Sequence, residues 1–186
     1  MVSYYKTVAN RLIEVDSLMP GCWISVVDPT AQERKMLIDD YGLDSDFLKS
    51  SLDEEESSRV EQEENQTLII VDTAVSEVQK DDTLIFYTMP LGIILTDHYV
   101  FTISLRENKV INDVVSGRVR NIQTQFRTQF VLRLMMNITA SFLVYLKQIF
   151  QCHAAETAWC HEESRTDSDA GTGKIPDLLL HITEIQ

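Results

Sequence analysis

The chain opens with short runs rich in β-branched and aromatic residues. SYYKTV and RLIEVD each read as a strand, and GCWISVVD predicts a third, with Trp23 and its valines available for burial. The period then changes. In DPTAQERKMLIDDYGL, Thr30 and Glu33 stand at capping-box spacing behind Pro29, and Gly42 is placed to end the helix in a left-handed cap. A helix from about Ala31 to Tyr41 is expected, then a shorter one from Asp44 with Phe47, Leu48 and Leu52 on one side.

LDEEESSRVEQEENQ is a charge run and reads as a solvated turn or sheet edge. Beyond it, TLIIVDTAV, TLIFYTMPLGIILTD and HYVFTISL predict central strands, separated by polar turns at SEVQKDD and TDH. NKVINDVVSGRV returns to helical spacing, with Gly117 as an interruption. From Gln125 onward, Phe126, Phe130, Leu134, Ile138, Phe142 and Leu146 recur every four residues, flanked by Met135, Tyr145 and Ile149, and predict one long amphipathic helix. After Ile149 the stripe stops, and ESRTDSDAGTGK is polar and loop-like.

The 186 residues suffice for about one domain with a sizeable core. A net charge of -13, with no basic stripe interleaved with aromatics, opposes a phosphate backbone, so nucleic acid is excluded as a partner. The three cysteines, Cys22, Cys152 and Cys160, form no CxxC, and no signal-peptide pattern follows Met1; a reducing cytoplasmic setting is expected. Runs such as TLIIV and LGIIL fall short of the ~20 residues that cross a bilayer, so no membrane insertion by this chain is expected.

Cys152, His153, Cys160 and His161 offer zinc its preferred ligand types. Adjacent Cys-His pairs project in different directions, however, and match no finger or ribbon spacing, so the cluster reads as accidental. SDAGTGK fails as a phosphate loop, with Ser168 where a glycine is needed and Ile175 where Ser or Thr is needed. It also fails as a calcium loop, because Gly171 and Thr172 occupy the third ligand and glycine positions. Cys22 beside Trp23 reads as a small core residue and His98 as a turn residue, so neither supplies a catalytic nucleophile or base, and no enzyme activity is expected. The acids Asp53, Glu54, Glu55, Glu56, Glu61, Glu63 and Glu64 could hold hydrated Mg²⁺ loosely, or form a solvated face.

Taken in order, GCWISVVDPT, YGLDSDFLKSSLDEEESSRVEQEENQTLIIVD, MPLGIILTDHYVFTIS and FVLRLMMNITASFLVYLKQI resemble the CorA family of magnesium transporters over roughly Tyr4 to Ile149. The resemblance implies an α/β fold, a mixed central β-sheet flanked by helices, followed by one long amphipathic helix. It divides the chain into an α/β cytosolic domain at 1–125, the start of a funnel helix at 126–150 and a tail at 151–186, for which disorder or makeshift helix is expected. It also implies homopentameric full-length relatives in the inner or plasma membrane, in which Mg²⁺ bound between cytosolic domains favours the closed pore. Carried onto this chain, a weak regulatory Mg²⁺ site falls at Glu77, Asp81 and Asp82, with Glu77 foremost and the usual partner acid on a later stalk helix. No organic cofactor is implied.

The family's charged helical pair, stalk helix, membrane spans and Gly-Met-Asn signature do not follow YLKQI here. Back-translation of DAGTGKIPDLLLHITEIQ, read one nucleotide later, permits a string that resembles the family's stalk helix. The expectation is therefore a soluble regulatory domain of a CorA-like transporter, truncated and out of frame after about Phe150, and unable to transport alone. Two alternatives stand beside it: a stand-alone divalent-cation-binding module, and a zinc-dependent enzyme using the Cys/His tail.

Overall fold

The computed structural model describes residues 1–80 and 84–166, and beyond Gln151 only the helical backbone. Three strands, β1 (Val2–Val8), β2 (Arg11–Val15) and β3 (Trp23–Val27), lead into helices α1 (Ala31–Asp39) and α2 (Ser45–Ser50). Strands β4 (Arg59–Glu63), β5 (Gln66–Val78), β6 (Leu84–Leu95) and β7 (Val100–Ser104) follow, then helices α3 (Lys109–Val115) and α4 (Arg127–Thr166). One sheet runs in the order β2-β1-β3-β7-β6-β5-β4. Every neighbouring pair is antiparallel except β3 and β7, so the sheet is mixed.

Period-two alternation distributes the apolar residues to both faces of the sheet. On one face Trp23, Leu91, Ile93 and Val100 pack with Val110, Ile111 and Val114 of α3 and with Phe130, Leu134 and Ile138 of α4. On the other, Ile24, Val26, Leu68, Ile70, Ile94, Phe101 and Ile103 meet Leu37 of α1 and Phe47 and Leu48 of α2. The result is three layers, helices over sheet over helices. Two polar pairs lie inside the sandwich: Trp23 Nε1 donates to Thr102 Oγ1 at 2.9 Å, and Asn108 Nδ2 donates to Thr73 Oγ1 at 2.7 Å.

The local signals act as the sequence predicts. Thr30 Oγ1 accepts from Glu33 N at 3.2 Å while Glu33 Oε2 accepts from Thr30 N at 2.8 Å, closing the capping box of α1. Gly42 takes φ +67° and donates its N–H to Ile38 O, ending that helix region. Gly92 has a different duty. A Cβ there would lie 2.1 Å from Ser51 Oγ and 2.4 Å from Ser51 Cβ, so only glycine lets the C-terminus of α2 rest on β6. The charge run becomes β4, the edge strand, where charged side chains discourage pairing with another sheet.

Helix α4 departs from its predicted stripe. Phe130, Leu134 and Ile138 are buried, but Phe126 and Leu146 are exposed, and Tyr145 is buried in place of Leu146. A four-residue step turns a helix by about 400°, so a strict four-residue repeat drifts about 40° per step and leaves the contact face. The backbone also stays helical through Thr166, beyond the end of the apolar stripe. Ala154, Ala155, Glu156, Glu162 and Glu163 favour helix, and no Gly or Pro occurs before Gly171. By length and composition Arg127–Gln151 could cross a membrane. In this fold one side of it covers the sheet instead.

Candidate functional site

Strands β5 and β6 form the longest pairing in the sheet, from Thr67 opposite Leu95 to Val78 opposite Leu84. Its far end passes beyond α2 and α3 and is held on one side by α4 alone. There Ala74, Phe86 and Tyr145 form a small buried cluster, joined by Leu84, Phe142 and Ile149. Phe86 and Tyr145 meet edge-to-face with ring centroids 6.0 Å apart.

Glu77 stands near this end of β5, exposed, with Val78, Gln79 and Lys80 lining an open hollow beside it. Tyr87 OH donates to Glu77 Oε2 at 3.3 Å. Burial, then the nearby Glu77 charge, raises the Tyr87 hydroxyl above its ordinary range, while Arg106 acts the other way. Tyr87 therefore remains a proton donor at neutral pH and occupies one carboxylate oxygen. The other can face a cation. Asp81 and Asp82, the other residues expected at this site, lie outside the described residues.

The acidic turn between α2 and β4 is partly neutralised from within. Arg59 pairs with Glu56 and, at 3.1 Å, with Glu61; Arg106 approaches Glu54 at 3.8 Å. Asp53 Oδ1 accepts from Glu55 N at 3.0 Å. Among the described residues no group of three or more His, Cys, Asp or Glu side chains could hold a metal ion.

Cys152, His153, Cys160 and His161 fall in α4, and their side chains lie outside the described residues. On a helical backbone Cys152 and Cys160 are about 12 Å apart along the axis. Ligands of one zinc ion each lie within about 2.3 Å of it. Cys22 is fully buried and His98 is exposed on the β6–β7 turn, and among the described residues no hydrogen bond joins them.

Two participants escape a sequence reading. Tyr87 reaches Glu77 only because the β5–β6 register sets it diagonally across the pair, with Val75 opposite Tyr87 and Glu77 opposite Ile85. Counting back from the SEVQKDD turn could have found it. Arg127 Nη1 donates to Thr96 O and ties the start of α4 to the β6–β7 turn. No local pattern marks a contact between residues so far apart in the chain.

The model of the CorA-like Mg²⁺ transporter protein family matches residues 21–154. Among solved structures, the complete CorA magnesium transporter from Methanocaldococcus jannaschii superposes with a TM-score of 0.66 at 22% identity, covering 81% of this chain and 48% of that one. The soluble domain of CorA from the same organism gives a TM-score of 0.67 at 22% identity, covering 90% of this chain and 65% of that one. The ZntB cytoplasmic domain from Vibrio parahaemolyticus gives 0.58 at 10% identity, covering 80% and 62%. No curated protein matches. The chain thus spans about half the length of the complete transporter and just under two thirds of its soluble domain.

Proposed function

Because the chain belongs to the CorA-like Mg²⁺ transporter family, we propose that its three-layer domain is the cytosolic regulatory head of a divalent-cation transporter. It acts by sensing Mg²⁺ rather than by catalysing a reaction. The observation that carries the proposal is the family match across residues 21–154, which takes in the sheet from just before β3 and the sheet-covering part of α4.

In this reading Mg²⁺ binds at the end of the β5–β6 pair, where the Glu77 oxygen not engaged by Tyr87 meets water and a carboxylate of a neighbouring subunit in a homo-oligomer. Mg²⁺ keeps several waters and needs only one or two carboxylates, so an exposed glutamate suits it. Regulation follows from linkage: an ion bound more tightly in one subunit arrangement shifts the population toward that arrangement. The strand end reports on the ion through the Phe86–Tyr145 contact, which passes any tilt of the β5–β6 pair to α4.

With a single described carboxylate at that end, one chain is expected to bind Mg²⁺ at millimolar strength or weaker. Amide chemical-shift titration with MgCl₂ tests this. Saturable shifts confined to β5, β6 and the second half of α4, lost in Glu77→Gln, are the expected result. Shifts elsewhere, or unchanged shifts in Glu77→Gln, remove Glu77 from the site without touching family membership. Metal analysis of purified protein finding stoichiometric zinc would favour a zinc-dependent protein instead.

A further inference from the structure

A hollow of about 430 Å³ opens between the β1–β2 turn and the segment that joins α3 to α4. Its walls are pinned to each other. Thr7 Oγ1 accepts from Thr124 N at 3.2 Å and donates to Ile122 O at 3.0 Å, and Thr124 Oγ1 accepts from Thr7 N at 3.0 Å, all three bonds being buried. Gln123 Nε2 donates to Asn10 Oδ1 at 2.8 Å and ties the segment to the turn once more. The walls are therefore in place before any ligand arrives, which lowers the ordering cost of binding.

The lining divides by chemistry. Leu12 and Val119, with the buried Val114 and Ile122, make an apolar floor. Arg11 on one wall and Arg120 on the other are exposed, and among the described residues neither has an ion-pair partner. Arg118 beside them differs, because it is already held by Asp113 at 2.7 Å. Among the described residues no acid lines the hollow, and the sequence contains none from Val114 to Ala155 although the chain carries -13 overall. Two guanidinium groups without a facing carboxylate favour an anion, and the planar fork of arginine matches the oxygens of a phosphate.

We propose that this hollow binds a small organic phosphate, its phosphate between Arg11 and Arg120 and its compact, partly apolar body on the floor made by Leu12 and Val119. A phosphate monoester carries a charge of about -1.5 to -2 at neutral pH, so it answers two arginines where a carboxylate answers one. Volume sets the size class. Small-molecule sites begin at about 300 Å³, so this hollow suits an ester of mononucleotide size better than a bare ion. Ser116 and Asn121 on the rim offer a hydroxyl and an amide to the polar edges of such a body. The site is independent of the Mg²⁺ reading: strand register puts the β1–β2 turn at the end of the sheet where β7 begins, and Glu77 at the other end.

Isothermal titration calorimetry of the full chain in metal-free buffer, with adenosine 5′-monophosphate, inorganic phosphate and adenosine as probes, is the direct test. The monophosphate should bind with a Kd below about 1 mM, inorganic phosphate about tenfold more weakly, and adenosine not measurably. Arg11→Gln and Arg120→Gln should each weaken the monophosphate about tenfold, the loss expected for a charge-assisted hydrogen bond. Lys35→Gln, which removes an exposed charge from α1 on the other face of the sheet, should leave binding unchanged. Thermal melts of all three variants should match the parent, because all three side chains are exposed. No binding of the monophosphate, binding that survives both arginine substitutions, or an equal loss in Lys35→Gln overturns the site. Inorganic phosphate bound as tightly as the monophosphate overturns the role of the apolar floor. A chain that ignores the monophosphate but pellets with phosphoinositide-containing vesicles, and no longer does so as Arg120→Gln, overturns the choice of a soluble ligand over a lipid headgroup.

Discussion

The two ends of the β5–β6 pair live in different environments. Near Gly92 it is covered on both faces: Leu68, Leu91, Ile93 and Ile94 are fully buried, α2 rests on one side and α4 on the other. Near Glu77 the apolar cover comes from α4, through Tyr145 against Phe86, and Ser76 and Glu77 are exposed. The same two strands thus serve first as core and then, in the proposed function, as a lever. Stability should therefore be concentrated at one end and responsiveness at the other.

Phe130→Ala strikes the covered end hardest. Phe130 is fully buried against Trp23, with ring centroids 5.1 Å apart, and its removal should cost about 3–5 kcal/mol, read as a fall in the denaturant midpoint. Gly92→Ala comes next, at about 1–3 kcal/mol, because the new methyl meets Ser51. Ser51→Gly should recover part of that loss, which a simple strand-propensity effect would not allow. At the free end, Phe86→Leu and Tyr145→Leu should each destabilise less, and a double-mutant cycle should return a coupling of about 0.5–1.5 kcal/mol. A coupling near zero would mean that α4 does not feel that end.

The smallest effect is a pH dependence on the covered side. Tyr41 OH and Tyr4 OH share a hydrogen bond of 2.7 Å, and burial, then that bond, raises the Tyr41 hydroxyl well above its ordinary value of 10.0. The folded state therefore retains a proton that the unfolded chain releases. This contribution is complete below pH 10 and declines as pH rises from there toward the folded-state value. Tyr41→Phe should flatten alkaline unfolding curves above pH 10 while leaving neutral Mg²⁺ titrations unchanged.

Much of this contrast was legible in the residues themselves. Period-two runs predicted the central strands, Thr30 and Glu33 marked the start of α1, and Gly42 marked its end, because each signal acts on its own neighbours. Long-range placement was less accessible. The four-residue stripe of α4 admitted Phe126 and Leu146 because spacing alone does not reveal drift about the helix axis, and the sheet then selected Tyr145. Glu77 was expected only through the family resemblance, and the hydroxyl beside it, Tyr87, depends on strand register. The stop after Ile149 was visible as a loss of apolar pattern and coincides closely with the end of the family match at residue 154. The continued helix to Thr166 is one of the two outcomes expected there, disorder or makeshift helix, and it needs no apolar face because helix propensity alone permits it.

The lone parallel junction, β3 beside β7, has a consequence for biosynthesis. Trp23 pairs with Val100 and Val27 with Ser104, so the middle of the sheet joins segments more than seventy residues apart. While a ribosome is still making the intervening hairpins, β1, β2 and β3 present an open apolar border with no neighbour. Closure awaits the emergence of β7, and loop-closure entropy makes that step slow relative to the local turns on either side.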